Sequence, residues 1–145
     1  MGFLGKLLIA CICVINVFAI KAADATDYYV FTKFPEPLTL TRQQVKQLYL
    51  GARLQVADIK LEPLVLPAGH RWRAVFNTRV VGLTESRINS YWAQMRFTGK
   101  RKPPLEVESI KQMFDLVESK SGILAVAPSD LVDKKLYQVV YQFTE

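Results

Sequence analysis

The sequence predicts an α/β domain in which a mixed, mostly parallel sheet is flanked by helices. Three observations predict it. Apolar β-rich runs alternate with amphipathic helical runs over most of the chain. Ile123-Leu124-Ala125-Val126-Ala127 is a short unbroken apolar run, the pattern of a central strand covered on both faces. Glycines stand where the helical runs should stop, at Gly51, Gly82, Gly99 and Gly122.

In chain order, Asp27-Tyr28-Tyr29-Val30-Phe31-Thr32 is β-branched and aromatic, hence a buried strand, and Pro35 and Pro37 end it. A helix follows with Thr41 as its cap and Gln44 completing a capping box. Leu40 with Val45 makes a hydrophobic staple, and Val45, Leu48, Tyr49 and Ala52 form the buried stripe. Residues 53–60 are expected to be a turn, and Leu61 to Leu66 a second strand. The chain then turns at Pro67-Ala68-Gly69 and opens a helix at His70-Arg71-Trp72-Arg73. Trp72, Val75, Phe76 and Val80 form its face. Thr84 caps the next helix, with its face at Ile88, Tyr91, Trp92 and Met95. A loop, Lys100-Arg101-Lys102-Pro103-Pro104, and a short candidate strand at Leu105-Glu106-Val107 come after it. Ser109 and Gln112 form another capping box, for a helix with face Ile110, Met113, Phe114 and Val117. The strand at Ile123 and a β-rich run from Leu136 to Phe143 finish the sheet.

The 145 residues suit one domain preceded by a leader. Residues 1–22 carry a short basic start, an uncharged apolar run from Leu7 to Ile20 and small residues after it. That is the layout of a secretory signal peptide, too short for a confident membrane span. The expectation is a periplasmic or secreted domain over residues 23–145, with an uncleaved anchor or lipoprotein as the lesser alternatives and no stable span after cleavage. Both cysteines, Cys11 and Cys13, lie in the leader, and one histidine remains in the domain. Thiol chemistry, disulfides and a zinc site are therefore not expected, nor is any cofactor. Removal of Lys6 and Lys21 takes the net charge from +6 to +4. This mild excess suits anionic ligands and falls short of a nucleic-acid footprint. Asp58, Asp115, Glu118 and Asp130 are scattered, no Walker-type loop is present, and an enzyme is not expected.

An ordered set of residues resembles the periplasmic phosphate-binding component of ABC transporters, and its short single-domain relatives in particular. The set is Leu48-Tyr49-Leu50-Gly51, Leu66-Pro67-Ala68-Gly69, Phe76, Val80-Val81-Gly82, Tyr91-Trp92, Phe97-Thr98-Gly99, Pro103-Pro104 and Gly122-Ile123. The resemblance implies one lobe of a type 2 periplasmic-binding-protein-like fold. It also implies an anion loop at Leu66 to Trp72, where Gly69 keeps the family's glycine. His70, Arg71 and Trp72 replace a Ser-Gly-Thr-like segment, and Leu66 replaces an arginine.

The residues themselves add that His70, Arg71 and Arg73 put positive charge at a helix N-terminus, against the helix dipole. Free N–H groups there, with guanidiniums able to fork onto oxygens, would suit a small anion such as phosphate. Thr41, at a second helix start, and Thr32, at the end of the first strand, complete the candidate ligand set of Thr32, Thr41, Gly69, His70, Arg71, Trp72 and Arg73. The competing expectation is an interaction or sensory accessory module that has lost small-molecule binding and contacts another envelope protein or a sensor.

Overall fold

The computed structural model describes residues 24–145; the leader at 1–22 lies outside the described residues. The elements are β1 (Asp27–Thr32), α1 (Arg42–Tyr49), β2 (Gln55–Val56), β3 (Ile59–Lys60), β4 (Glu62–Val65) and α2 (Arg71–Phe76). A π-helical turn (Asn77–Val81) continues α2, and α3 (Glu85–Thr98), β5 (Leu105–Glu106), α4 (Ile110–Ser119), β6 (Ile123–Pro128) and β7 (Gln138–Thr144) complete the chain. No helix among the described residues is long and apolar enough to cross a membrane.

Five strands form one sheet in the order β5-β4-β6-β1-β7. β4 is parallel to both β5 and β6. β1 lies between β6 and β7 and is antiparallel to each. Four strands therefore run one way and β1 alone runs against them, which is the mixed, mostly parallel sheet expected. Alternation along β1 and β6 divides the core between two faces. Tyr28, Val30, Leu124 and Val126 pack on the side of α1, α2 and α3. Tyr29, Phe31, Ala125 and Ala127 pack on the side of α4, against Met113 and Val117. β6 is buried along its whole length.

Local chemistry accounts for most boundaries. At α1 the Thr41 hydroxyl accepts from the Gln44 amide while the Gln44 side chain accepts from Thr41 N–H, the reciprocal capping box. At α4 only half of that device forms. Ser109 accepts from Gln112 N–H, but the Gln112 side chain turns to Glu108 N–H instead. The expected turn over residues 53–60 is a small hairpin, β2–β3, whose two tip residues, Ala57 and Asp58, have positive φ. Two successive left-handed residues match the right-handed twist of the flanking strands, and the absence of an Asn-Gly signature hid the hairpin.

Candidate functional site

β4 delivers the chain to a turn in which His70 N–H donates to Pro67 carbonyl, and Gly69, at φ +88°, takes the left-handed position that a type II turn needs. The space around Gly69 is open, so backbone conformation alone selects glycine there. α2 then starts with His70 as its cap. The ring Nδ1 accepts from Trp72 N–H at 3.2 Å, and the His70 carbonyl accepts from Ala74 N–H. Strand, turn and helix thus stand as expected at 64–76, but the imidazole takes one of the amides that an anion would use.

Both arginines are engaged. Arg71 is exposed and donates from Nη2 to both oxygens of Glu145, at 2.9 and 2.8 Å. That carboxylate raises the guanidinium's pKa above its ordinary value, and the phenol of Tyr28 joins the same cluster. Arg73 is nearly buried, with 12 % of its side chain exposed, and makes four hydrogen bonds. It forks onto Glu85 through Nε and Nη2, and its Nη1 reaches Glu106 and the carbonyl of Leu66, both at 2.8 Å. Burial opposes its charge, yet the two carboxylates more than offset that and hold its pKa above the usual value. Asn77 donates to Glu85 at 2.9 Å and locks the acceptor from the other side. Trp72 is half-buried and packs against both cores, so its role here is to fix the helix.

Thr32 and Thr41 do not join this group. Thr32 pairs in register with Leu124, which stands level with Pro63, whereas Leu66 lies three residues further along β4. About 10 Å of strand separates the two levels. β1 runs against its neighbours, so its C-terminal end points away from Gly69 and Thr32 is not brought to the turn. Thr41 sits beside the far end of the α2–π segment, where Arg42 Nε donates to Val80 carbonyl at 3.2 Å. Its hydroxyl serves the α1 cap. The partners that complete the mouth, Glu85, Glu106, Glu145 and Asn77, carry no mark in the sequence. The only available signal was the unbalanced cationic turn at 70–73, which called for carboxylates from somewhere.

Next to Arg73 a cleft of about 420 Å³ opens between α3, the π-helical turn and the loop before β5. Asn77, Asn89, Trp92 and Arg96 line it together with Arg73 and Glu106. Tyr49 lies at its inner wall. Its hydroxyl is buried without a hydrogen-bond partner among the described residues, and burial pushes its pKa up.

No protein-family model and no curated protein matches the sequence. Among solved structures the fold is similar to the crystal structure of an ABC-type phosphate transport receptor from Vibrio cholerae, with a TM-score of 0.59 and 22 % identity. The match covers 80 % of this chain and 46 % of the receptor. The resemblance carried by the sequence motifs therefore holds at the level of fold. This chain is an α/β domain whose fold is similar to part of that receptor, and it spans a little under half of the receptor's length.

Proposed function

We propose that the chain is an exported, single-lobe solute-receptor-like domain that works by contacting another protein, not by catalysis, its small-molecule mouth being filled by its own side chains. The observation that carries this reading is the engagement of Arg73 by Glu85, Glu106 and the Leu66 carbonyl through four hydrogen bonds. Counted over Arg71, Arg73, Arg96, Glu85, Glu106 and Glu145, the charges of the mouth and the adjoining cleft cancel. An incoming anion would meet no net attraction and would have to displace carboxylates already held by the arginines.

A second reading, weak recognition of a small anion such as phosphate, is favoured by one observation. Arg71 is held in an exposed pair with Glu145, beside the Tyr28 phenol, and water and salt weaken that pair. Opening that pair would offer one guanidinium beside the first turn of α2. The likeness to a phosphate receptor supports the architecture for it.

A melting experiment separates the two. At 10 mM phosphate, a site with a dissociation constant near 0.1 mM would add about 2.7 kcal/mol of stability. Under the leading reading, phosphate, sulfate and acetate move the midpoint no more than sodium chloride of equal ionic strength. A rise of several degrees with phosphate, removed by Arg71→Ala, would replace it with the anion reading.

A further inference from the structure

A second concavity, of about 340 Å³, lies at the other end of β4 from Gly69. Its walls are the end of α1 with the following turn on one side and the 100–105 loop on the other. Leu48, Leu61, Leu64 and Ile123, all buried, make the floor. Arg53, Lys60, Lys100, Arg101 and Lys102 line the walls against one carboxylate, Glu62. That carboxylate is already shared between Lys60 at 3.5 Å and Lys120 at 2.8 Å. Among the described residues no carboxylate lies within 4 Å of Arg53, Lys100 or Lys102.

The groove is built, not incidental. Arg101 Nη1 donates to the Leu50 carbonyl and to the Tyr91 hydroxyl, and Tyr91 donates to the same carbonyl at 2.6 Å. This pins the basic wall to the end of α1. Gly51 lets the two walls meet: a Cβ there would come within 2.8 Å of Trp92 and 3.0 Å of Arg101. Pro103 and Pro104 stiffen the rest of the loop. Leu105, on the groove's wall, is 60 % exposed, an apolar side chain that no described residue covers.

We propose that this groove docks an acidic, extended segment of a partner protein, its Asp and Glu side chains facing Lys60, Lys100, Lys102 and Arg53 while an apolar residue covers Leu105. The inference rests on the interaction reading above and names the surface it uses. Charge complementarity selects the occupant, since three unneutralised cations line a preorganised cleft. Concavity favours a peptide over a bilayer, which meets only the rim. The prolines leave β5 a poor edge for strand addition, so side chains, not a backbone ladder, carry the recognition.

The test uses the full chain and a labelled dodecapeptide of Asp and Glu with one central Leu, read by fluorescence anisotropy. A control peptide has every acid replaced by its amide. The acidic peptide should bind, weaken at least tenfold between 50 and 300 mM salt, and lose at least tenfold with Lys100→Glu/Lys102→Glu. Arg71→Ala should leave its binding unchanged. Equal binding of the amide peptide, or no loss in the charge-reversed variant, would overturn the proposal. So would binding to phosphatidylglycerol vesicles through the same lysines with no binding to peptide. If the acidic peptide fails while phosphate leaves the melting point unmoved, the interaction reading stands and the groove assignment alone falls. If phosphate raises the melting point and Arg71→Ala removes the rise, the interaction reading falls.

Discussion

Arg71 and Arg73 stand two residues apart in one helical turn, and their surroundings give them different work. Arg73 is enclosed and bonded to two carboxylates and a carbonyl, so Arg73→Ala leaves Glu85 with Asn77 alone and takes the side-chain donor from the carbonyl of buried Leu66. Because Glu106 is half-exposed, the cost should sit below that of a fully buried pair, about 2–3 kcal/mol in urea unfolding. Arg71→Ala, which removes an exposed pair, should leave the urea midpoint where it is. Equal losses for the two would mean that Arg73 is not the strut described. Tyr49 poses the opposite case. Its hydroxyl is buried with no partner among the described residues, so Tyr49→Phe removes a desolvated polar group and should stabilise by up to about 1 kcal/mol. Glu62 supplies the pH dependence. The Lys120 hydrogen bond holds its carboxyl below the ordinary value of 4.5, with burial opposing and Lys60 assisting. A depressed folded-state pKa contributes stability that is present in full above that ordinary value and lost as pH falls through the folded one. The stability gap between wild type and Lys120→Met should therefore close as pH is lowered from 6 to 3. A gap that widened would reverse the assignment.

Among the elements, the joint between α4 and β6 is the least forgiving. Gly122, at φ +87°, donates its N–H to Lys33 carbonyl and offers its carbonyl to Glu62 N–H. A Cβ there would lie 2.5 Å from the Lys60 carbonyl oxygen, a backbone atom that cannot step aside. Gly122→Ala should cost more than the roughly 1 kcal/mol of left-handed backbone strain alone, and thermal melting against Gly69→Ala, where space is open, isolates the contact. Such stops were legible in the sequence because glycine after an amphipathic run has one common use. The same holds for Thr41, Thr84 and Ser109, whose side chains each accept from the third amide onward. Direction was not legible. Nothing in Asp27–Thr32 tells whether that strand runs with or against its neighbours, so the sequence does not reveal that Thr32 stands at the opposite end of the sheet from Gly69. The site was half legible for a related reason. Gly69 to Arg73 are contiguous and obey local rules, whereas Glu85, Glu106 and Glu145 reach them from three other parts of the chain. The π-helical turn was likewise hidden, since Val80 and Val81 are both buried and a 3.6-residue period places only one of them on the face.

At the scale of the whole molecule, the longest connection closes the sheet. β1 and β7 pair from Asp27–Thr144 to Thr32–Gln138, and Phe143 stacks on Tyr28 at 5.3 Å. Gln138 extends the link beyond the ladder, accepting from Leu38 N–H and donating to the carbonyls of Phe34 and Glu36, which fixes the proline loop after β1. Glu145 N–H donates to the Thr26 carbonyl, so the two ends of the ladder already touch. Pairing strands more than a hundred residues apart requires loop-closure entropy to be lost before any contact compensates it. Joining Glu145 to Thr26 through Asn-Gly, with new ends opened in the exposed stretch between Lys134 and Lys135, converts β7–β1 into a tight hairpin without altering the sheet. If this pairing forms at or before the folding barrier, the permutant should refold several-fold faster than residues 24–145 in stopped-flow fluorescence, while its unfolding rate changes little. An unchanged refolding rate in a permutant that still folds would place β1–β7 closure after the barrier. The nucleus would then lie in the parallel β4–β6 pair and the α4 that connects to it. A permutant unable to fold would show that the exposed turn at Asp133, which accepts from the amides of Leu136 and Tyr137, is needed to aim β7 at the sheet.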